Sequence, residues 1–174
     1  MMTIKKLSIY SLAFIAFFGL SSNACENAED LLDIDVPTTI KKSFVITTNE
    51  AEEKSFTETV NPADEDIEEY RERVKSISAD RLLVTVTDNG SDGNTGSGEL
   101  TIIAGGSSFS VGQVEDINQL DGLEIQLTGG LKDAITSSLE NFQEFDVEFL
   151  VSSDGAINYN VDVTIEGLLT ASPL

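Results

Sequence analysis

Near the C-terminal end of the chain, Ile157, Tyr159, Val161, Val163 and Ile165 alternate with Asn158, Asn160, Asp162, Thr164 and Glu166. A period of two puts the first set on one face of an extended strand and the second on the other. One face is dry and one is wet, which suits an antiparallel sheet covered on a single side. The same pattern recurs upstream. In "RLLVTVT", Leu82, Val84 and Val86 oppose Leu83, Thr85 and Thr87, and "LEIQL" sets Leu123, Ile125 and Leu127 on one side. "IKKSFVITT", Lys54 to Val60, "ELTIIAG", "SFSVG" and "FDVEFLV" complete about eight strand candidates. Lys41, Lys42 and Lys54 guard the first strands as edge protection. Asp154-Gly155 reads as a hairpin turn between the last two strands.

Two segments carry a helical period instead. In "NPADEDIEEYRERVKSI", Asn61 is a good N-cap and Pro62 suits the first helical position. Acids crowd its first turn, basic residues come late, and Ile67, Tyr70, Val74 and Ile77 form one apolar stripe. In "GGLKDAITSSLENF", Leu131, Ile135, Leu139 and Phe142 share a face. Short alternating strands with few helices predict a mainly β fold, an antiparallel β-sandwich with one or two short helices over residues 37–174. The alternative is an α+β single antiparallel sheet with the helices on one face.

The N-terminus "MMTIKKLSIYSLAFIAFFGLSSNAC" has Lys5 and Lys6 ahead of an apolar run from Leu7 to Leu20. That is the pattern of a signal peptide over residues 1–24, and the run is short for a spanning helix. Cys25, the sole cysteine, follows at once. Its placement resembles the lipidated cysteine of bacterial lipoproteins. Ala24 matches their lipobox, while Ser22 and Asn23 stand where Leu and then Ala or Ser are usual. Cleavage by an ordinary signal peptidase, leaving a free thiol, is the other reading. Residues 25–36, beginning "CENAEDLLDID", read as an acidic tether, similar to the surface-export signals of Bacteroidota lipoproteins. With the strand order that follows, the chain resembles small envelope lipoproteins of that group. The resemblance implies an exported protein held in the outer membrane by its lipid, on the periplasmic or the surface face, and brings no activity with it.

Charge bounds the partners. The formal net charge is −21, and after Arg81 the only basic residue is Lys132. Such a surface repels nucleic acid and anionic lipid and admits cationic proteins or divalent cations. With no histidine in the chain, Ser-His and Cys-His nucleophile pairs and His-ligated zinc are excluded.

"DNGSDGNTGSGE" is the one metal candidate. Against a twelve-residue calcium loop, Asp88, Asp92, Asn94 and Glu99 occupy ligand positions 1, 5, 7 and 12, with Gly93 at position 6. Gly90 stands where a third side-chain oxygen is wanted, and the flanks are strands, so this is not an EF-hand. Ca2+ binding is one expectation; a mobile hairpin tip between Leu82–Thr87 and Glu99–Ala104 is the other. Carboxylate pairs such as Asp146/Glu148 and Asp162/Glu166 raise a small hydrolase as an alternative function. The expectation they compete with is a non-enzymatic binding or scaffolding domain, including an inhibitor of a basic secreted enzyme, with no cofactor required.

Overall fold

The computed structural model describes residues 33–91 and 93–173. The expected signal peptide, Cys25 and most of the acidic tether lie outside the described residues, as does Asp92. Among the described residues, eight strands form two four-stranded sheets: β1 (Ile34–Thr48), β2 (Glu53–Val60), β3 (Val74–Asp88), β4 (Gly96–Ala104), β5 (Ser107–Val114), β6 (Leu123–Gln126), β7 (Phe145–Ser153) and β8 (Ile157–Ala171). One sheet has the order β1-β8-β3-β6 and the other β2-β7-β4-β5. Every connection crosses between sheets except β4 to β5. With eight strands in two sheets, this is jelly-roll connectivity. Asp35–Ala171 forms one compact unit.

The alternation read from the sequence sets what is buried. Leu82 and Val84 of β3, Leu100 and Ile102 of β4, Val147, Phe149 and Val151 of β7, and Ile157, Tyr159, Val161 and Val163 of β8 are all at or below 1 % exposure. Each such aliphatic or aromatic side chain contributes about 1.5–3 kcal/mol when withdrawn from water. α1 (Gly129–Glu140) follows the predicted second helix and buries Ile135 and Leu139. Its Thr136 hydroxyl and the Glu140 carboxylate accept the backbone N–H groups of Ala79 and Ile77, which ties α1 to β3. The tight β4–β5 turn has positive φ at both Gly105 and Gly106, the combination that a two-residue type I′ hairpin demands.

The first expected helix is not one. Residues 61–77 divide into two 3-10 turns, Pro62–Asp64 and Asp66–Tyr70, followed by the start of β3. Asn61 does cap, accepting from Ala63 N at 3.1 Å. Glu65, however, is extended (φ −104, ψ 163) and interrupts the helical path. Two causes act together. Asp64/Glu68 and Glu65/Glu69 are like-charge pairs at i,i+4, which disfavour an α-helix. Lys42 of β1 also holds Glu65 in an ion pair at 2.8 Å. Downstream, β-branched Val74 and Ile77 are drawn into a long ladder, opposite Ala171 and Leu169 of β8. Pairing with β8 outweighs the weak helical propensity of this stretch.

Two expected hairpins are also corrected. β3 and β4 lie in different sheets, so residues 89–95 form a crossover rather than a hairpin tip. β7 and β8 likewise lie in different sheets, and Asp154-Gly155 turns a corner between them. β1 runs on through Pro37, which is tolerated in an edge strand because no ladder is completed on the open side.

Candidate functional site

Among the described residues, a groove of about 470 Å3 opens between the first half of β1 and the paired 3-10 turns. Its volume lies in the lower half of the range of small-ligand sites, about 300–1,000 Å3. Val36, Pro37 and Ile40 come from β1, and Ile67 and Tyr70 from the second turn. Ile40 and Ile67 are buried and form its floor, while Val36 and Tyr70 are half-buried and form its walls. The rim is acidic, with Glu65, Asp66 and Glu69. Glu65 is neutralised by Lys42, whereas Asp66 and Glu69 are exposed and in no ion pair among the described residues. The Tyr70 hydroxyl stands beside the Glu69 carboxylate. That carboxylate, with a lesser desolvation, raises the Tyr70 phenol above its ordinary value. The Arg73 guanidinium lies over the Tyr70 ring at 5.3 Å and fixes its orientation.

The 3-10 geometry makes this groove. A continuous helix would have carried Ile67, Tyr70, Val74 and Ile77 as one stripe. With Val74 and Ile77 drawn into β3, only Ile67 and Tyr70 face β1, and the acids between them are left on the rim. No part of the groove was anticipated from the sequence, which placed Val36 in a tether and Glu65–Tyr70 in a helix. The one available signal was the acid run Asp64–Glu69, whose i,i+4 repulsion argued against a stable helix.

Of the four calcium candidates, Asp88, Asn94 and Glu99 are among the described residues and Asp92 is not. Asp88 Oδ1 accepts from Gly90 N, Ser91 N and Ser91 Oγ, each at 2.9 Å. The backbone bond from Gly90 and those from Ser91 lower the Asp88 carboxyl below its usual range. Asn94 Nδ2 donates to Ala156 O at 2.8 Å. Glu99 lies on β4, on the outer face of its sheet, and accepts from Ser110 Oγ at 2.8 Å. Among the described residues, no three His, Cys, Asp or Glu side chains converge as a metal-holding group.

Other bonds of the described residues in this loop run to the other crossovers. Asn89 N donates to Asn158 O, Asp154 N to Thr95 O, and Thr95 N to Asp154 Oδ1. Ser91, 1 % exposed, accepts from Asn158 N. Thr48, at the end of β1, donates to Gly155 O and accepts from Ile157 N. Ser153 Oγ bonds to the carbonyls of Glu50 and Glu52. The connections β1–β2, β3–β4 and β7–β8 are thus laced together. Gly96 and Gly98, read as part of a flexible loop, belong to β4 and face the core. A Cβ on Gly98 would stand 2.7 Å from Phe149 Cζ.

The carboxylate pairs that raised hydrolysis sit on the outer sheet faces. Asp146 accepts from Thr59 Oγ1 and Glu148 from Ser55 Oγ. Asp162 accepts from Lys41 Nζ and Ser43 Oγ, which lowers its carboxyl, and Glu166 is bound by Arg81, which also reaches Glu124. Each is a cross-strand contact that knits neighbouring strands.

No family model matches the chain, and no curated protein matches it. Solved structures are similar at low identity. They include a protein of Desmodium yellow mottle tymovirus (13 % identity, TM-score 0.39, covering 80 % of this chain and 90 % of that one). The BFDV capsid protein in its decameric form is 11 % identical, with TM-score 0.43 over 79 % of this chain and 99 % of that one. The Yersinia pseudotuberculosis-derived mitogen is 10 % identical, with TM-score 0.39 over 75 % and 87 %. Likenesses of this strength bring no activity to the chain.

Proposed function

We propose that the chain is an exported, lipid-anchored protein of a Gram-negative envelope, attached to the outer membrane through Cys25, and that its sandwich binds a cationic, partly apolar protein segment. The observation that carries this reading is the groove. An apolar floor of Ile40 and Ile67 lies beside the Asp66 and Glu69 carboxylates, which form no ion pair among the described residues. A segment presenting Lys or Arg next to an aliphatic side chain complements both features. The net charge of −21 steers such a partner towards the domain. Binding rather than catalysis is favoured because the candidate acid pairs are engaged in cross-strand contacts along the outer sheet faces.

Two measurements test this. Cys25→Ser is expected to move the protein from the membrane to the soluble fraction, and retention on the membrane would exclude the lipid as its anchor. The lipidated full chain, used as bait in intact envelopes, is expected to capture a basic protein that the Asp66→Asn/Glu69→Gln variant fails to retain. Capture that is indifferent to the variant would remove the groove from the reading.

A further inference from the structure

The two sheets have four outer strands: β1, β6, β2 and β5. An outer strand offers a row of unpaired N–H and C=O groups to another chain unless something blocks it. Three of the four are blocked. β1 carries Pro37, Lys41 and Lys42; β2 carries Glu53, Lys54 and Glu58; β6 is only four residues long and includes Glu124. β5, "SSFSVGQV", has neither charge nor proline. No charged residue occurs anywhere from Leu100 to Val114, in a chain with 31 acids.

We infer that β5 is a self-association edge, where two copies of the chain pair β5 against β5 in antiparallel fashion about a two-fold axis to join their β2-β7-β4-β5 sheets. Charge selects the occupant. Two copies of so acidic a protein repel each other at nearly every approach, and this edge is where they meet with no carboxylate opposed. The edge is also complementary to itself, as a two-fold contact requires. The acid that reaches the strand is Glu99 on β4, whose carboxylate is held by Ser110, and exposed Glu115 follows the strand's far end. In the paired sheet the two β4 strands stand three inter-strand spacings apart, about 14 Å. That exceeds the screening length of about 8 Å at physiological salt, so the Glu99 pair offers little resistance.

A bulge bounds the contact. Leu100 faces Gly112 and Thr101 faces Ser110, which leaves Val111 as an extra residue on β5. Continuous pairing is therefore assigned to Ser107–Ser110, the regular segment next to the Gly105-Gly106 turn. Ser107 and Ser108 are exposed, and neither side chain is engaged in a hydrogen bond among the described residues.

The experiment is sedimentation of the full-length lipidated protein in density-matched detergent, over a concentration series, for wild type, Ser108→Lys, Ser108→Glu and Thr57→Lys. A charge at position 108 sets like charges against each other across the two-fold axis, whereas Thr57→Lys puts the same charge on the already guarded β2 edge. Wild type and Thr57→Lys are expected to form dimers of equal affinity. Both position-108 variants are expected to raise the dimer dissociation constant by about tenfold or more, with unchanged melting curves. A wild type that stays monomeric throughout the series overturns the inference. So does a dimer that persists in both charged variants, or one weakened as much by Thr57→Lys. Recovery of β5 bound to a different protein in place of a second copy also overturns it.

Discussion

The two ends of the sandwich use the same residue types to opposite effect. At the crossover end, Asp88, Ser91, Asn94, Asp154 and Thr48 direct their oxygens and amides at backbone groups and stitch three loops into one network. At the groove end, Asp66 and Glu69 face water beside an apolar floor. An acidic residue near turning backbone N–H groups becomes part of the architecture, and one on an exposed 3-10 turn remains available to a partner. The acid count is therefore a poor guide to function here, because what decides is whether donors of the fold, backbone or side chain, point at the carboxylate.

The contrast is broken most severely at Gly98. Gly98→Val adds a branched side chain where even a Cβ would meet the Phe149 ring at 2.7 Å. Overpacking of this kind is expected to cost about 3 kcal/mol, read as a lower urea midpoint. A mobile loop would tolerate the change, so an unchanged midpoint would return this stretch to the hairpin-tip reading. Thr48→Val comes next. It keeps the shape of a side chain only 2 % exposed but removes two bonds, leaving Ile157 N–H and Gly155 C=O unpaired. The expected loss is about 2 kcal/mol. Ser91→Ala, which deprives Asn158 N–H and Asp88 of a shared partner, follows at about 1–2 kcal/mol.

The residues concerned show what sequence can reveal and where it stops. The period-two runs around Leu82, Leu123 and Ile157 marked strands, faces and fold class, because burial on one face is imposed residue by residue. Which strand pairs with which is a long-range matter. "TDNGSDGNTGSGE" and Asp154-Gly155 have hairpin composition, yet both are sheet-to-sheet crossovers. Nothing local separates these cases, since Gly and Asp satisfy a corner as well as a hairpin. The helix expected at Asn61–Ile77 failed for a related reason. Its cap and stripe were real local signals, but Val74 and Ile77 gained more from the β8 ladder, whose partner residues lie about ninety positions away. The groove depends on that outcome, so it was hidden until the pairing was known.

Acid titration sharpens the comparison through Asp88. Its folded pKa is lowered, so the stability it contributes is fully present above the unfolded carboxylate value of about 3.9 and is lost as pH falls through the folded value. Wild type is therefore expected to melt above Asp88→Asn at neutral pH, with the gap closing below about pH 4. Comparing the two proteins at each pH cancels the relief of self-repulsion that accompanies general protonation of so acidic a chain. A gap that persists unchanged at low pH would mean that the Asp88 side chain acts by shape alone.

The smallest expected effect on stability belongs to the rim. Asp66→Asn with Glu69→Gln touches exposed carboxylates that form no ion pair among the described residues, so the melting midpoint should stay within about 0.5 kcal/mol of wild type. Glu69 is the main cause of the raised Tyr70 phenol, and Gln at that position carries no charge. The Tyr70 phenol should then titrate lower than in wild type, because neutral neighbours at positions 66 and 69 no longer resist the phenolate. Ultraviolet titration of the variant reads that shift directly. If the double variant instead loses stability on the scale of Ser91→Ala, the rim carboxylates are structural like those of the crossovers. The distinction between the two ends would then dissolve, and with it the groove's claim to be a site for a partner.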